Sequence, residues 1–117
     1  MMMLGELKAK LGKKWPIFEG LHKFIMSLNS KMRYRVFTIY ITYYLEEKVI
    51  AVVYFRGKFV SDCELNIGFA FREKPNTAIF DSANYMQYPG INYGIKINSR
   101  EDITGEITKT IKLNIIK

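Results

Sequence analysis

Two kinds of hydrophobic spacing divide this chain into helical and extended segments. Apolar residues first recur at every third or fourth position, which is typical of helices with one buried face. The first stripe, in residues 3–15, predicts a short basic amphipathic helix and consists of Met3, Leu4, Leu7, Leu11 and Trp15. Gly12 weakens this helix, and Pro16 suits the first turn of a new one, where its missing N–H is not needed. The second stripe predicts a core helix and consists of Ile17, Phe18, Leu21, Phe24, Ile25 and Leu28.

After residue 30 the apolar period changes to two, which predicts strands. Residues 34–45 are almost all β-branched or aromatic, so they predict one long strand, with Val49–Phe55 as its neighbour. Residues 63–71 and 91–97 alternate between apolar and polar or small positions and predict two further strands. Residues 72–90 contain the turn-forming residues of a long connection.

The last segment returns to helical spacing. Ser99 predicts the start of a helix because its hydroxyl and the Asp102 carboxylate can form a capping box. The buried stripe of this helix consists of Ile103, Ile107, Ile111 and Ile115. The order of elements predicts an α+β fold, with a four-stranded, mostly antiparallel sheet and N- and C-terminal helices packed on one face. We expect residues 1–16 to form a basic amphipathic N-terminal helix and residues 17–117 a single α+β domain.

Composition adds few constraints on location and chemistry. A chain of 117 residues fits one domain. The single cysteine, Cys63, excludes an internal disulfide, and its alternating neighbours predict a buried thiol. No apolar run approaches the roughly 20 residues that span a bilayer. We therefore expect a cytoplasmic protein. The basic N-terminal helix has only one aromatic residue and a modest apolar stripe, so we expect it to dock on its own domain rather than on a membrane.

Residues 17–116 resemble an uncharacterised family of small α+β domains, the DUF5655-type family. The matching segments are Phe24–Asn29 (FIMSLN), Tyr40–Tyr44 (YITYY), Glu64–Phe71 (ELNIGFAF) and Ile91–Thr104, in which Ser-Arg-Glu-Asp-Ile leads into the final helix. The resemblance implies an α+β fold and no established activity. Because some relatives are fused to other modules, it also implies an accessory or binding role.

Charge narrows that role. The formal net charge is +7, and all of the excess lies in residues 1–58, which contain eleven Lys or Arg and four Asp or Glu. Residues 59–117 contain seven of each. Such asymmetry predicts an acidic partner, and nucleic acid is the class that charge favours most.

The candidate nucleic-acid-binding residues flank the first predicted hairpin. They combine cations with tyrosines that would share one strand face, and they are Lys31, Arg33, Arg35, Tyr40, Tyr44, Arg56 and Lys58. The prediction assumes that the opposite face meets the helices, and that face consists of Phe37, Ile39, Ile41, Tyr43 and Leu45. Aromatic stacking with phosphate neutralisation is how many sheet surfaces hold single strands.

Two alternatives to a nucleic-acid site stay open. Tyrosine and threonine are also ordinary residues on a half-exposed sheet face, where they pair across strands. The exposed face or an edge strand could instead form a homodimer or a protein-interaction surface.

Catalysis, metals and cofactors receive little support from the sequence. His22 lies off the apolar stripe of its helix, so we expect an ordinary surface histidine, and no phosphate-binding loop or nucleophile elbow is present. Asp62, Glu64 and Lys74 are too loosely spaced to predict a Mg²⁺ site. We therefore predict no catalytic residue, no metal site and no cofactor, and we favour a non-enzymatic binding or accessory domain over an enzyme, which stays open as a weaker alternative.

Overall fold

A computed structural model describes residues 4–115, which contain three α-helices and six strands. The helices are α1 (Leu4–Leu11), α2 (Trp15–Ser27) and α3 (Gly105–Asn114). The strands are β1 (Arg33–Val36), β2 (Tyr40–Leu45), β3 (Lys48–Tyr54), β4 (Leu65–Phe69), β5 (Asp81–Ser82) and β6 (Tyr93–Ile97). They form one antiparallel sheet in the order β1-β2-β3-β4-β6-β5.

The predicted α+β class with an antiparallel sheet is confirmed, and the prediction of four strands is wrong. Two changes account for the difference: the first predicted strand is two strands, and the long connection contributes the two-residue β5. Met3, predicted to begin the first helical stripe, and residues 116 and 117 of the predicted domain lie outside the described residues.

Both helical stripes pack into the main core on one face of the sheet. Gly12 adopts a φ of 54° in a 3₁₀ turn between α1 and α2, and Pro16 lies in the first turn of α2. A left-handed φ suits glycine because it has no Cβ. Leu7 and Leu11 are buried with the α2 stripe and with Ile107 and Ile111 of α3. The basic N-terminal helix therefore docks on its own domain.

The predicted long strand over residues 34–45 is interrupted by a tight reversal at residues 37–39. The Phe37 N–H donates to the Tyr40 carbonyl at 2.8 Å, and β1 then pairs back along β2. The reversal changes which side chains share a face. Tyr43 still meets the helices as predicted, whereas Tyr34 packs against the same core and Ile39 packs on the opposite face. Two adjacent strands of similar composition therefore look like one in the sequence.

The sheet face opposite the helices is less open than the pattern predicts. A second apolar cluster lies there, formed by strand residues and by the connection that precedes β6: Val52, Tyr54, Ala70, Ala83, Met86 and Ile91. The connection packs closely on β4, since a Cβ at Gly68 would lie 2.5 Å from Ile91 Cγ2. The exposed part of this face is consequently concentrated near β1 and β2.

Cys63 is exposed, which corrects the prediction of a buried thiol. The strand that was to contain it begins only at Leu65, because residues 61–64 form a turn. Within that turn the Ser61 N–H donates to Glu64 Oε1 at 3.0 Å. The apparent alternation around Cys63 therefore belongs to a turn and carries no information about burial.

The last helix begins later than predicted. Ser99 and Asp102 do form a capping box, but it caps a 3₁₀ turn over Arg100–Asp102. The helix α3 starts at Gly105, where the Thr104 hydroxyl accepts the Ile107 N–H at 3.3 Å. The predicted isoleucine stripe is nevertheless buried from Ile107 onwards.

Candidate nucleic-acid interface

The hairpin of β1 and β2 places both predicted arginines beside tyrosines. Arg33 lies opposite Tyr44 in the register, and Arg35 lies opposite Thr42. Directly paired residues project from the same face of an antiparallel sheet. We call the face formed by Arg33, Arg35, Tyr40, Thr42 and Tyr44, opposite the helices, the β1–β2 face.

Arg35 and Tyr44 contact each other on the β1–β2 face. The Arg35 guanidinium carbon lies 4.9 Å from the centre of the Tyr44 ring, which is within cation–π distance. Arg35 is exposed and Tyr44 is half-buried. The contact holds a positive charge over an aromatic surface that solvent still reaches, so both groups are accessible to a ligand.

An exposed phenylalanine extends this surface. Phe37 is 37% exposed, and its ring stacks on Tyr40 with centres 5.0 Å apart and planes tilted by 27°. Tyr40 in turn contacts Tyr88 edge-on at 6.0 Å. The predicted site includes neither Phe37 nor Tyr88, because a single strand over residues 34–45 puts Phe37 on the core face and because Tyr88 lies in the connection.

An open groove of about 350 Å³ connects the Arg35–Tyr44 pair with the rings of Phe37 and Tyr88. The lining comes from the β1–β2 hairpin (Arg35, Phe37, Thr42 and Tyr44), the β2–β3 turn (Glu46 and Glu47), β3 (Val49) and the connection (Tyr88). Glu46 and Glu47 make one end of the groove acidic. A polyanion in this groove would therefore be expected to keep its phosphates near the arginines and away from the β2–β3 turn.

Aromatic contacts continue from Tyr40 towards the β3–β4 loop. Tyr40 packs against Tyr54 at 5.2 Å, and Tyr54 packs edge-on against Phe59 at 5.1 Å. Lys58 lies over the Phe59 ring, with Nζ 5.2 Å from its centre. Burial, and then the neighbouring tyrosines, raises the pKa of Tyr54, so its phenol stays neutral. Lys58 thus adds a cation at the far end of an aromatic row.

The structure brings together only part of the predicted site. Arg33, Arg35, Tyr40 and Tyr44 share the β1–β2 face, and Lys58 lies at the end of the aromatic row. Two predicted residues line other grooves. Lys31 lies beside Leu45 and Ile50, on the helix side of the sheet, and Arg56 lies with Lys10 and Lys14 at the end of β3.

Lys14 shows that part of the basic excess belongs to the fold. Its side chain is 8% exposed, and Nζ donates to the carbonyls of Phe55 at 2.9 Å and Ser61 at 2.8 Å. Burial lowers the pKa of this ammonium group, an effect that the carboxylates of Asp62 and Glu64 oppose. Lys14 therefore fastens the N-terminal helical segment to the β3–β4 loop.

His22 is half-buried, which corrects the expectation of a surface histidine. Its Nδ1 lies 2.7 Å from the hydroxyl of the fully buried Tyr43, and its ring meets that of Tyr34 edge-on at 4.8 Å. Burial lowers the pKa of His22. The hydrogen bond satisfies the Tyr43 hydroxyl inside the core, which accounts for the position of the pair.

The described residues show neither a metal-binding cluster nor a membrane-spanning helix. Within residues 4–115, no group of three or more His, Cys, Asp or Glu side chains could hold a metal ion. Nor is any helix in that range long and apolar enough to cross a membrane.

No family model matches the chain, and no curated protein or solved structure was found to resemble it. The DUF5655-type resemblance therefore stays a prediction.

Proposed function

We propose that this protein is a non-enzymatic module that binds single-stranded nucleic acid across the β1–β2 face. The observation that carries the proposal is the exposed ring of Phe37, stacked on Tyr40, in the same groove as the Arg35–Tyr44 pair. Unpaired bases stack on exposed aromatic rings, and arginines neutralise the backbone that links them.

The shape of the surface favours a single strand over a duplex. The aromatic rings line a groove of about 350 Å³ on a sheet face. In a duplex the faces of the bases are stacked on one another and unavailable, whereas a single strand can splay its bases onto the rings. Arg33 and Arg35 lie two residues apart along β1, so both can contact phosphates of the same nucleic-acid strand.

A salt series tests the proposal. A fluorescently labelled oligonucleotide of about ten nucleotides, as RNA, as DNA and as a duplex, is titrated with protein and followed by anisotropy. Each phosphate contact to a single strand contributes about 0.7 to the slope of log affinity against log salt. Arg33→Gln with Arg35→Gln should therefore weaken binding and reduce the slope by about 1.4.

The matched control removes two charges from the helical layer. Lys23 and Lys109 are exposed on α2 and α3, so Lys23→Gln with Lys109→Gln changes the net charge equally. Equal losses from the two double variants would show that binding follows net charge alone and would overturn the site. Absence of binding at low salt would overturn the proposed function.

The alternative function is protein interaction, in which the same face or the β1 edge forms a homodimer. Light scattering distinguishes it: a molecular mass that rises with concentration and falls on Phe37→Ala would favour the dimer. A constant monomeric mass together with salt-dependent binding would favour nucleic acid.

A further inference from the structure

At the other end of the sheet, β6 has an unpaired outer edge. The two-residue β5 pairs with β6 only as far as Gly94. The chain just before β5 leaves the sheet because Phe80 turns into the core, where its ring packs edge-on against Phe71 at 5.3 Å. Within the described part of the chain, residues 95–97 therefore have a strand partner only on the β4 side.

An open groove of about 690 Å³ runs along this edge, and its lining is acidic on balance because it holds four carboxylates and one cation, Lys96. Its four carboxylates come from β5, from the 3₁₀ turn after β6 and from α3: Asp81, Glu101, Asp102 and Glu106. Asp102 accepts the Asn98 and Ser99 N–H groups, so it also holds the turn in place. The carboxylates are spread along the edge rather than gathered around one point, which suits an extended cationic ligand.

The same groove offers apolar contacts. Ile79, Ile95 and Ile107 line it, and the Ile79 side chain is 40% exposed. A strand added to a sheet edge places alternate side chains on opposite faces. In an antiparallel sheet the N–H and C=O groups of alternate residues point to opposite neighbours, so Ile95 and Ile97 face β4 and Lys96 presents its backbone groups at the open edge. Backbone groups, aliphatic side chains and carboxylates are thus available together over about 10 Å of β6.

We propose that the outer edge of β6 binds an extended, basic segment of another protein as an additional antiparallel or parallel strand. Main-chain hydrogen bonds to Lys96 supply the register, and alternating aliphatic and Lys or Arg side chains meet the isoleucines and carboxylates. A polyanion is repelled by this groove. Two copies of this chain each carry a net charge of +7 and therefore repel each other. A short basic segment is instead attracted by the carboxylates that it contacts. This inference is independent of the proposed nucleic-acid function.

Peptide titration with isotope-labelled protein tests the proposal. The probe is a synthetic peptide of about eight residues that alternates lysine with valine, and its twin replaces every lysine with glutamate. We expect saturable amide shifts in residues 95–97 and at Asp81, none in residues 33–36, and no binding of the twin. Methylation of alternate backbone nitrogens in the peptide should weaken binding about two- to twelvefold, because it removes an edge hydrogen bond.

Charge variants test the groove itself. Asp81 and Glu101 are exposed, so Asp81→Asn and Glu101→Gln should each weaken peptide binding about two- to fivefold without unfolding the protein. Glu46→Gln with Glu47→Gln, in the turn at the other end of the sheet, is the control and should have no effect. Shifts that map away from β6, equal binding of the glutamate twin, or equal binding of the methylated peptide would each overturn the proposal. Self-association of the protein through β1 and β6, with no peptide binding, would also overturn it.

Discussion

The two ends of the sheet differ in both charge and accessible chemistry. At the β1–β2 end, side chains on the face are exposed and combine Arg33 and Arg35 with aromatic rings. At the β6 end the backbone edge is exposed and is bordered by carboxylates. Residues 59–117 contain seven positive and seven negative residues, yet they form a local acidic groove. The net charge of a segment therefore does not predict the charge of the surface that it forms.

Both ends carry an edge strand, but the edges are protected differently. Charged side chains on an edge strand discourage pairing with other chains, and β1 carries two arginines in its four residues. In β6 the residues beyond Gly94 are Ile95, Lys96 and Ile97, so this edge is more apolar and relies on its flanking carboxylates. The β6 edge is therefore the better site for a complementary strand, and β1 the better site for a polyanion.

The largest expected effect is a loss of stability from disturbing the packing of β6 against β4. A Cβ at Gly94 would overlap the backbone carbonyl oxygen of Ile67, and a backbone atom cannot move aside as a side chain can. Gly94→Ala should cost at least about 3 kcal/mol of unfolding free energy by displacing β6. Denaturant unfolding measures the loss.

The control for this variant is Gly105→Ala at the start of α3, where a Cβ meets no atom within 4 Å. That change should be neutral or slightly stabilising. A Gly94→Ala protein within about 0.5 kcal/mol of the wild type would contradict the close contact between β4 and β6.

The second effect is confined to the β1–β2 face. Phe37→Ala removes an exposed stacking surface and should weaken single-strand binding by about 1–3 kcal/mol, as expected for one stacked base. Leu113→Ala is the control, because Leu113 is 62% exposed on α3, away from this face. Anisotropy titrations at fixed salt give both values, and similar losses for the two variants would remove Phe37 from the site.

The helices and the core could be predicted because their spacing is long and regular. Residues 17–28 repeat an apolar stripe over three turns, and Phe18, Leu21 and Ile25 are buried as that stripe requires. The reversal at residues 37–39 could not be predicted, because Phe37, Thr38 and Ile39 include none of the glycine, proline or asparagine residues that usually mark turns. One missed turn changed the face assigned to Phe37, Ile39 and the residues before them.

Part of the candidate site could also be predicted from the spacing of residues along the strands. Arg33, Arg35, Tyr40 and Tyr44 come together because two paired strands bring them onto one face. Charge alone could not separate Arg35, which is exposed, from Lys14, which is buried and bonded to two carbonyls. The acidic groove was missed because its residues come from three elements whose approach depends on the fold.

A third prediction separates a structural lysine from an exposed neighbour that only contributes charge. Lys14→Met leaves the carbonyls of Phe55 and Ser61 without their donor and should cost about 1–2 kcal/mol of stability. Lys13→Met removes the same charge from an exposed neighbour and should change stability little. Thermal unfolding measures both. Neither lysine lies on the β1–β2 face, so neither variant should change the salt slope of oligonucleotide binding.

The smallest expected effect is a dependence of stability on pH that originates beneath β1 and β2. Burial lowers the pKa of His22 in the folded protein, so the unfolded chain takes up a proton first as the pH falls. The stabilisation is complete above the unfolded pKa of about 6.5 and is lost as the pH falls towards the lower folded value. Unfolding free energies at about pH 7.5 and 5.5 should therefore fall more for the wild type than for His22→Gln. The acid-induced loss should appear first in amides of β1 and β2, which pack on His22 through Tyr34 and Tyr43, and an equal early loss in β6 would contradict this assignment.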